Sequence, residues 1–212
     1  MGKRLFDIAA SSLLLILLTP ILVLIAAAIV IESGGPVLFL QTRIGRKFRP
    51  FQIWKFRSMR MDTAGTRITI GGDKRITRVG KVLRTTKLDE LPQLWNVLRG
   101  DMSLVGPRPE LPEYVDLYRP RFRKVLEIRP GVTDLASLEF RDLEKVLASA
   151  ADPLREYAER VLPRKLDMAE DYLHRRSTLL DCSILIRTLL VPLAGARKTK
   201  FPPGQTGAHF PM

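Results

Sequence analysis

Two adjacent carboxylates, Asp89 and Glu90, are the residues of this chain whose types and spacing most directly indicate chemistry. They lie within residues 84–110, where arginines stand on both sides of them at Arg84 and Arg108. Carboxylates can bind a hard cation or attack an electrophile, and guanidinium groups match the oxygens of phosphate. The segment therefore predicts a site for an anionic, phosphorylated substrate.

A short amphipathic helix is predicted after the carboxylates. Apolar residues recur at helical spacing over residues 91–98, and Gly100 ends the pattern. Pro92 marks the start of this helix, because proline is tolerated in a first turn but not deep inside a helix. We therefore expect Asp89 at or just before the helix N-terminus, where both carboxylates stay ionised near neutral pH. The alternative is that Asp89 only caps the helix.

A stiff turn follows this helix in the sequence Gly106-Pro107-Arg108-Pro109. Pro107 and Pro109 restrict the backbone on either side of Arg108, which would preorganise its guanidinium for phosphate oxygens. The alternative is a surface turn that carries a solvated arginine.

Composition limits the partners and the cofactors. With 35 Lys+Arg against 22 Asp+Glu, the net charge of +13 indicates an anionic partner, whether nucleic acid, an anionic membrane surface or a phosphorylated substrate. The single cysteine, Cys182, excludes an intrachain disulfide, and the two histidines, His174 and His209, argue against zinc or copper. The metal that we expect is Mg²⁺, a hard cation held by oxygen.

An uncharged apolar run covers residues 13–31 and is interrupted only by Thr19 and Pro20. At about 1.5 Å per residue it reaches roughly 28 Å, which is just enough to cross a bilayer core. Positive charge on both sides of the run gives a crossing helix no clear orientation. We therefore favour a re-entrant segment that breaks at Thr19-Pro20 over a straight span, a preference that the resemblance described below strengthens.

Two short strands, residues 37–40 and 51–54, are predicted around a basic turn, and the second leads into Lys55 and Arg57. These two cations either bind phosphate near the membrane or lie on a solvated strand edge.

Residues 62–76, rich in Gly, Thr and charge, are expected to be a mobile loop that is either a substrate lid or disordered.

The C-terminal half is predicted to be mostly helical. Helical patterns cover residues 110–123, 142–151, 153–176 and 177–193. The first is basic and amphipathic, which suits a membrane surface, and the last is too short and too polar to span a bilayer. The expected units are a membrane-embedded segment 1–35, a domain 36–195 and a flexible tail 196–212.

Several blocks in a fixed order resemble the bacterial sugar transferases, the monotopic phosphoglycosyl transferases that begin glycoconjugate assembly on polyprenol phosphate. The block LRTTKLDELPQLWNVLRGDMSLVGPRPE carries most of the likeness, together with QTRIG, FQIWKFRSM and RPGVT. The resemblance implies an α+β, helix-rich fold with a re-entrant membrane helix, a small β-hairpin and amphipathic helices at the membrane surface. It also implies a place on the cytoplasmic face of the bacterial inner membrane.

The activity implied by the resemblance moves a sugar-1-phosphate from a UDP-sugar to undecaprenyl phosphate, releases UMP and uses Mg²⁺. Asp89 would be the nucleophile and Glu90 the metal ligand, while Arg84 and Arg108 would contact phosphate and nucleotide. The remaining binding residues would be Lys55, Arg57, Pro107 and Pro109. Membrane lipids are implied partners, a homodimer is left open, and nucleic acid is not expected.

One segment departs from the family's pattern. After RPGVT many members continue with Gly-Leu-Ala-Gln, whereas this chain has Asp134-Leu135-Ala136-Ser137. If this loop touches the sugar, the donor cannot be inferred from familiar members.

Three other interpretations remain open. Direct transfer would use both carboxylates to hold metal and would form no covalent intermediate. A membrane-anchored nucleic-acid-binding protein would explain the charge, although the sequence shows no helix-turn-helix and no aromatic RNA platform. A non-catalytic membrane scaffold is the third.

Overall fold

The computed structural model describes residues 2–60 and 68–190. The helices are α1 Gly2–Ser33, α2 Arg78–Thr86, α3 Gln93–Arg99, α4 Pro112–Leu117, α5 Arg119–Val125, α6 Leu135–Glu139, α7 Leu143–Ala148, α8 Pro153–Glu156, α9 Leu162–Arg175 and α10 Thr178–Leu190. The strands are β1 Leu38–Ile44, β2 Pro50–Phe56, β3 Ser103–Val105 and β4 Gly131–Thr133. Turns of 3₁₀ helix occupy Arg46–Phe48 and Leu88–Glu90, and a π-helical turn occupies Tyr157–Val161. The predicted helix-rich α+β architecture is confirmed.

Two predicted features fall partly or wholly outside the described residues. These are residues 62–67 of the expected mobile loop and the expected tail at 196–212. The described remainder of the loop, from Ile68 onward, forms turns that lead to α2, and Gly71 N donates to Glu144 O at 3.0 Å. That part of the loop is therefore joined to α7.

The membrane-type helix α1 is continuous from Gly2 to Ser33, with Pro20 inside it. The predicted interruption at Thr19-Pro20 is not confirmed, because helical structure runs through both residues; Thr19 Oγ1 donates to Leu15 O at 2.7 Å. By length and composition, α1 is the one helix in residues 2–60 and 68–190 that could cross a membrane.

Both ends of α1 are fastened to the folded domain. Near its start, Arg4 donates to Val97 O at 2.6 Å, and the buried Asp7 accepts from Ser103 Oγ at 2.8 Å. Near its end, Glu32 accepts from two backbone N–H groups in the first turn of α2. Large apolar side chains between these ends are exposed, among them Leu13, Ile16, Leu17, Val23 and Leu24. The helix therefore presents an uncovered apolar surface while each end contacts the same domain.

Asp7 is expected to be a strong stabilising contact between α1 and the domain. Its side chain is 3% exposed and also accepts from Leu104 N at 3.2 Å. Because Asp7→Ala leaves two buried donors without an acceptor, we expect the free energy of unfolding to fall by about 2 kcal/mol. Chemical denaturation in detergent micelles measures this. The exposed Asp116→Ala on α4 is the control, with an expected change within about 0.5 kcal/mol; equal effects of the two substitutions would contradict the assignment.

The two small sheets confirm the predicted hairpin and add a second strand pair. Strands β1 and β2 pair antiparallel from Leu38↔Phe56 to Ile44↔Pro50, so both are longer than predicted. Strands β3 and β4 pair in parallel. Gly106, just after β3, and Gly131, the first residue of β4, pass so closely that a Cβ on Gly131 would lie 2.1 Å from Gly106 N, which explains glycine at this crossing.

The C-terminal helices pack around one apolar core. The predicted helical segments appear as α4 and α5, as α7, as α8 to α9 through the π-helical turn, and as α10. The buried side chains of this core are Val115, Phe122, Val125, Leu126, Ala136, Phe140, Leu147, Tyr157, Val161, Leu162, Leu166 and Ala169. A second apolar cluster joins β2, α3, β3 and α10. The turn Leu88–Glu90, which carries Asp89 and Glu90, is therefore held between packed elements.

Candidate active site

The two carboxylates lie on the 3₁₀ turn Leu88–Glu90, between α2 and α3. Pro92 is the N-cap of α3 and no side chain caps that helix, so the alternative in which Asp89 only caps it is not supported. Asp89 is 6% exposed, and its Oδ1 atom is buried with no hydrogen-bond partner among the described residues. A buried carboxylate oxygen without a donor is costly for stability, which is typical of a functional group.

Glu90 is held between two cations. Arg108 forms a two-pronged pair with it, with Nη1 donating to Oε2 at 3.1 Å and Nη2 donating to Oε1. Lys55 Nζ donates to Oε1 at 2.9 Å. The structure therefore brings together three residues that the sequence placed in separate motifs, and it fixes Glu90 beside Asp89.

Burial and neighbouring charges shift the pKa values of the two carboxylates in opposite directions. Burial and the adjacent charge of Glu90 raise the pKa of Asp89 above its ordinary value. Burial also acts to raise the pKa of Glu90, but Arg108 and Lys55 outweigh it and hold that pKa well below its usual range. The expected stabilisation of charge is confirmed for Glu90, through side-chain cations rather than a helix terminus. It is not found for Asp89, which lacks a donor at Oδ1.

The predicted stiff turn positions Arg108 through its backbone. Gly131 N donates to Pro107 O at 3.0 Å, and Arg43 Nη1 donates to Pro109 O at 3.3 Å. Arg108 N donates to Asp134 Oδ2 at 3.1 Å. The alternative of a free surface turn is wrong, because the second strand pair and two side chains hold it.

Asp134 belongs to the segment that departs from the family's pattern. Its other oxygen, Oδ1, accepts from Ser137 N at 2.7 Å and so caps α6. One carboxylate therefore starts a helix and holds the backbone of Arg108. The departure in sequence reaches the candidate site through this backbone contact.

Arg84 and Arg57 are held by different partners. Arg84 Nη1 donates to Ser58 Oγ at 3.2 Å and Nη2 pairs with Glu144. Arg57 is buried and its guanidinium donates to the carbonyls of Ser33, Gly34 and Gly35 at the end of α1. These contacts close the end of α1, and the phosphate contact predicted for Arg57 stays a prediction, because its Nε has no partner among the described residues. Arg84 contributes positive potential at Asp89 and also stays a predicted phosphate contact.

Gly80 allows α2, which carries Arg84, to approach the segment that follows β2. A Cβ at this position would lie 2.0 Å from Ser58 O. In an open helix Gly→Ala stabilises by about 0.5–1 kcal/mol, but here we expect Gly80→Ala to destabilise by about 1–3 kcal/mol, because backbone must move. Thermal unfolding by circular dichroism measures the sign. Gly2→Ala, at a position with nothing within 4 Å, is the control; a stabilised Gly80→Ala would refute the close approach.

Two buried groups were missed as site residues by the sequence reasoning. Glu110 accepts from Tyr157 Oη at 2.6 Å and from Lys165 Nζ at 3.3 Å, and it also pairs with Arg43. Gln93 is fully buried, with neither amide atom bonded to a described residue. Gln93 follows Asp89 by four residues, which was an available signal, but the partners of Glu110 come from distant segments.

The donor set fits a hard cation. Asp89 Oδ1 is unpaired, and Glu90 Oε2 accepts one bond, from Arg108, so it keeps one acceptor position. In residues 2–60 and 68–190 no group of three or more metal-type side chains occurs. Mg²⁺ commonly binds through one or two carboxylates and takes its other ligands from water and substrate phosphates. The residues present therefore suit Mg²⁺ together with a phosphorylated substrate.

Comparison with known proteins identifies the family. A sequence profile described as bacterial sugar transferase matches residues 1–195. The chain belongs to this family. A relative in Caulobacter vibrioides, named UDP-glucose:undecaprenyl-phosphate glucose-1-phosphate transferase, is 41% identical over 192 residues, which cover 88% of this chain and 68% of the relative.

Two further relatives differ in the sugar that their names give. One in Aeromonas hydrophila, named UDP-N-acetylgalactosamine-undecaprenyl-phosphate N-acetylgalactosaminephosphotransferase, is 37% identical over 198 residues, or 91% of this chain and 44% of the relative. One in Escherichia coli, named as a glucose-1-phosphate transferase of the same type, is 44% identical over 142 residues, or 64% of this chain and 30% of the relative. The chain thus spans less than half of these two relatives. Its family and the apolar α1 indicate association with a membrane.

Proposed function

We propose that this chain transfers a sugar-1-phosphate from a UDP-sugar to undecaprenyl phosphate at a membrane surface and releases UMP. The observation that carries the proposal is the buried, unpaired Oδ1 of Asp89 beside a Glu90 that Arg108 and Lys55 hold in place. The relatives' names support the reaction class, and their different sugars leave the donor sugar open among UDP-sugars.

In the first step Asp89 attacks the phosphorus that carries the sugar. A bond forms between a carboxylate oxygen and this phosphorus, and the bond to the bridging oxygen breaks, so that UMP leaves with the electron pair. The product is an acyl phosphate that keeps the sugar. The transfer potential is thereby conserved on the protein.

In the second step an oxygen of undecaprenyl phosphate attacks the same phosphorus. The bond to Asp89 breaks and returns the carboxylate, and a lipid diphosphate sugar forms. The attacking phosphate is already ionised at neutral pH, so the step needs no strong general base. This suits a site in which Glu90 is paired with the cations Arg108 and Lys55.

Repulsion between the anionic substrates and the carboxylates is the main barrier, and the chain's cations offset it. Arg108 and Lys55 neutralise Glu90, and Arg84 adds positive potential near Asp89. Mg²⁺ held by Glu90 would supply further charge neutralisation at the phosphates. Arg108 in its tied turn would orient the donor through the N–H groups that do not bond to Glu90.

The attachment of α1 supports a site at headgroup depth. Arg4 and Asp7 near its start and Glu32 near its end all contact the same folded domain. A helix that carried its ends to opposite faces of a bilayer could not keep both contacts with a domain on one side. This favours a placement in which both ends of α1 stay on one face of the membrane. We propose that this is the cytoplasmic face of the inner membrane, where the lipid phosphate meets the carboxylates.

The test uses purified full chain in neutral detergent with undecaprenyl phosphate, Mg²⁺ and a panel of UDP-sugars that includes glucose and N-acetylgalactosamine. UMP release with at least one donor, abolished by chelation of the metal, is the expected result. Without the lipid acceptor, donor labelled in the phosphate next to the sugar should leave one label per protein. Release of UMP without trapped label would favour direct transfer, and no release with any donor would remove the proposal.

A further inference from the structure

A basic groove of about 360 Å³ lies at the turn end of the β1–β2 hairpin. Its lining includes Arg46, Lys47 and Arg49 from the hairpin turn and Arg129 from the segment before β4. The acidic residue in the lining is Asp101. The groove therefore has an excess of positive charge, and the reaction described above uses none of these residues.

Among the residues that the structure describes, acidic side chains do not neutralise the positive charge of the groove. Asp101 accepts a hydrogen bond from Asn96 Nδ2 at 3.3 Å and forms an ion pair with Arg99 Nε at 3.5 Å. Lys47 and Arg49 are exposed, and neither forms an ion pair within residues 2–60 and 68–190. Unpaired cations gathered around a concave surface attract an anionic ligand.

Two guanidinium groups in the groove are held in fixed orientations and keep unused N–H donors. Arg46 Nε donates to Glu127 O at 2.8 Å, and Arg129 Nε donates to Gly100 O at 2.7 Å. Each contact uses one N–H and fixes the plane of the group, and the terminal nitrogens bond to no other described residue. Guanidinium groups held in this way recognise phosphate oxygens through their remaining donors.

The turn that carries the cations is preorganised. Lys47 and Phe48 both have left-handed backbone conformations, with φ of 57° and 60°, which cost free energy in residues other than glycine. Gly45 N donates to Arg49 O at 2.8 Å and Lys47 N donates to Leu126 O at 2.7 Å, and these bonds hold the turn. The cations therefore stand on a fixed support rather than on a free loop.

The groove lies beside the start of the membrane-type helix and apart from the carboxylates. Gly100 borders it, and Arg4 of α1 binds the same end of α3, through Val97 O and Leu98 O. Along β2, the six residue-to-residue steps from Arg49 to Lys55 span about 20 Å. We propose that this groove binds the phosphate of an anionic phospholipid headgroup and so fixes the domain against the bilayer at a second point.

The test measures lipid retention by the full chain in neutral detergent, using native mass spectrometry with dioleoyl-phosphatidylglycerol or dioleoyl-phosphatidylcholine. The expected result is retention of the anionic lipid over the zwitterionic one. Lys47→Gln/Arg49→Gln should weaken that retention by about tenfold or more, since each cation near an anionic lipid contributes of order 1 kcal/mol. Arg129→Gln, in the part of the lining that comes from the segment before β4, should also weaken it.

Lys145→Gln/Arg155→Gln is the matched control, because it removes the same charge from α7 and α8 and should leave retention unchanged. Equal retention by the groove variants and the control would overturn the proposal. Complete displacement of the lipid by inorganic phosphate would also overturn it, because the groove would then take a free anion. The readout does not depend on transfer activity, so it is independent of the proposed reaction.

Discussion

Asp89→Asn is expected to lower the rate of UMP release by about 1,000-fold or more, because removal of a covalent nucleophile typically has effects of this size. An amide oxygen is a poor nucleophile and cannot give the acyl phosphate. The trapped label should disappear with the activity. Because Asp89 Oδ1 has no bonding partner among the described residues, the variant should unfold at the same temperature as the wild type or at a higher one.

The control for this prediction is the same chemical change at an exposed aspartate. Asp116→Asn on α4 should change neither UMP release nor trapping. Measured side by side, the two variants separate the loss of Asp89 from any general effect of an Asp→Asn substitution. Wild-type UMP release in Asp89→Asn would remove Asp89 from the chemistry altogether.

Arg108→Lys is expected to lower kcat by about 100-fold, the size of effect found when one preorganised donor is removed from a charged transition state. The substitution keeps the positive charge beside Glu90 but loses the two parallel bonds, Nη1 to Oε2 and Nη2 to Oε1. Steady-state UMP release at saturating donor measures kcat, and the donor dependence gives KM.

Arg121→Lys is the matched control for this substitution. Arg121 also contacts two carboxylates, those of Asp167 and Glu170, but these lie on α9. We expect a change in kcat within about twofold, since surface ion pairs contribute little. An Arg108→Lys variant with wild-type kcat would mean that positive charge alone, without geometry, is what the site requires.

Local sequence patterns were sufficient to predict an element where neighbours in the sequence are also neighbours in the structure. The hairpin and the C-terminal helices follow from hydrophobic periodicity and turn residues, and both were predicted. Helix α2 was missed, because RVGKVLRTT is basic and contains a glycine. Its first turn is satisfied by Thr77 Oγ1, which accepts from Gly80 N, and by Glu32, from the end of α1, which accepts from Arg78 N and Val79 N. The Thr77 cap is a local signal that was not used, whereas the contact with Glu32 has no local signal.

The arginines also show that local sequence patterns could not identify contacts between distant segments. Arg57, Arg84 and Arg108 carry the same charge and stand in comparable polar motifs, so composition and spacing could not rank them. Only the tertiary structure shows that Arg108 faces Glu90, whereas Arg57 closes the end of α1. The contacts differ because each guanidinium meets whatever acceptor the packing of α1, β2 and the Arg108 turn brings within reach.

The sequence by itself determined the membrane-type helix, the carboxylate pair, the family and the excess of positive charge, because each depends on residue type and short-range order. The tertiary structure decided which cations hold Glu90, that Asp89 keeps an unpaired oxygen, and that Arg46 and Arg129 share a groove beside Gly100. These depend on contacts between segments far apart in the chain, and such contacts are set by how the helices and strands pack rather than by any local pattern.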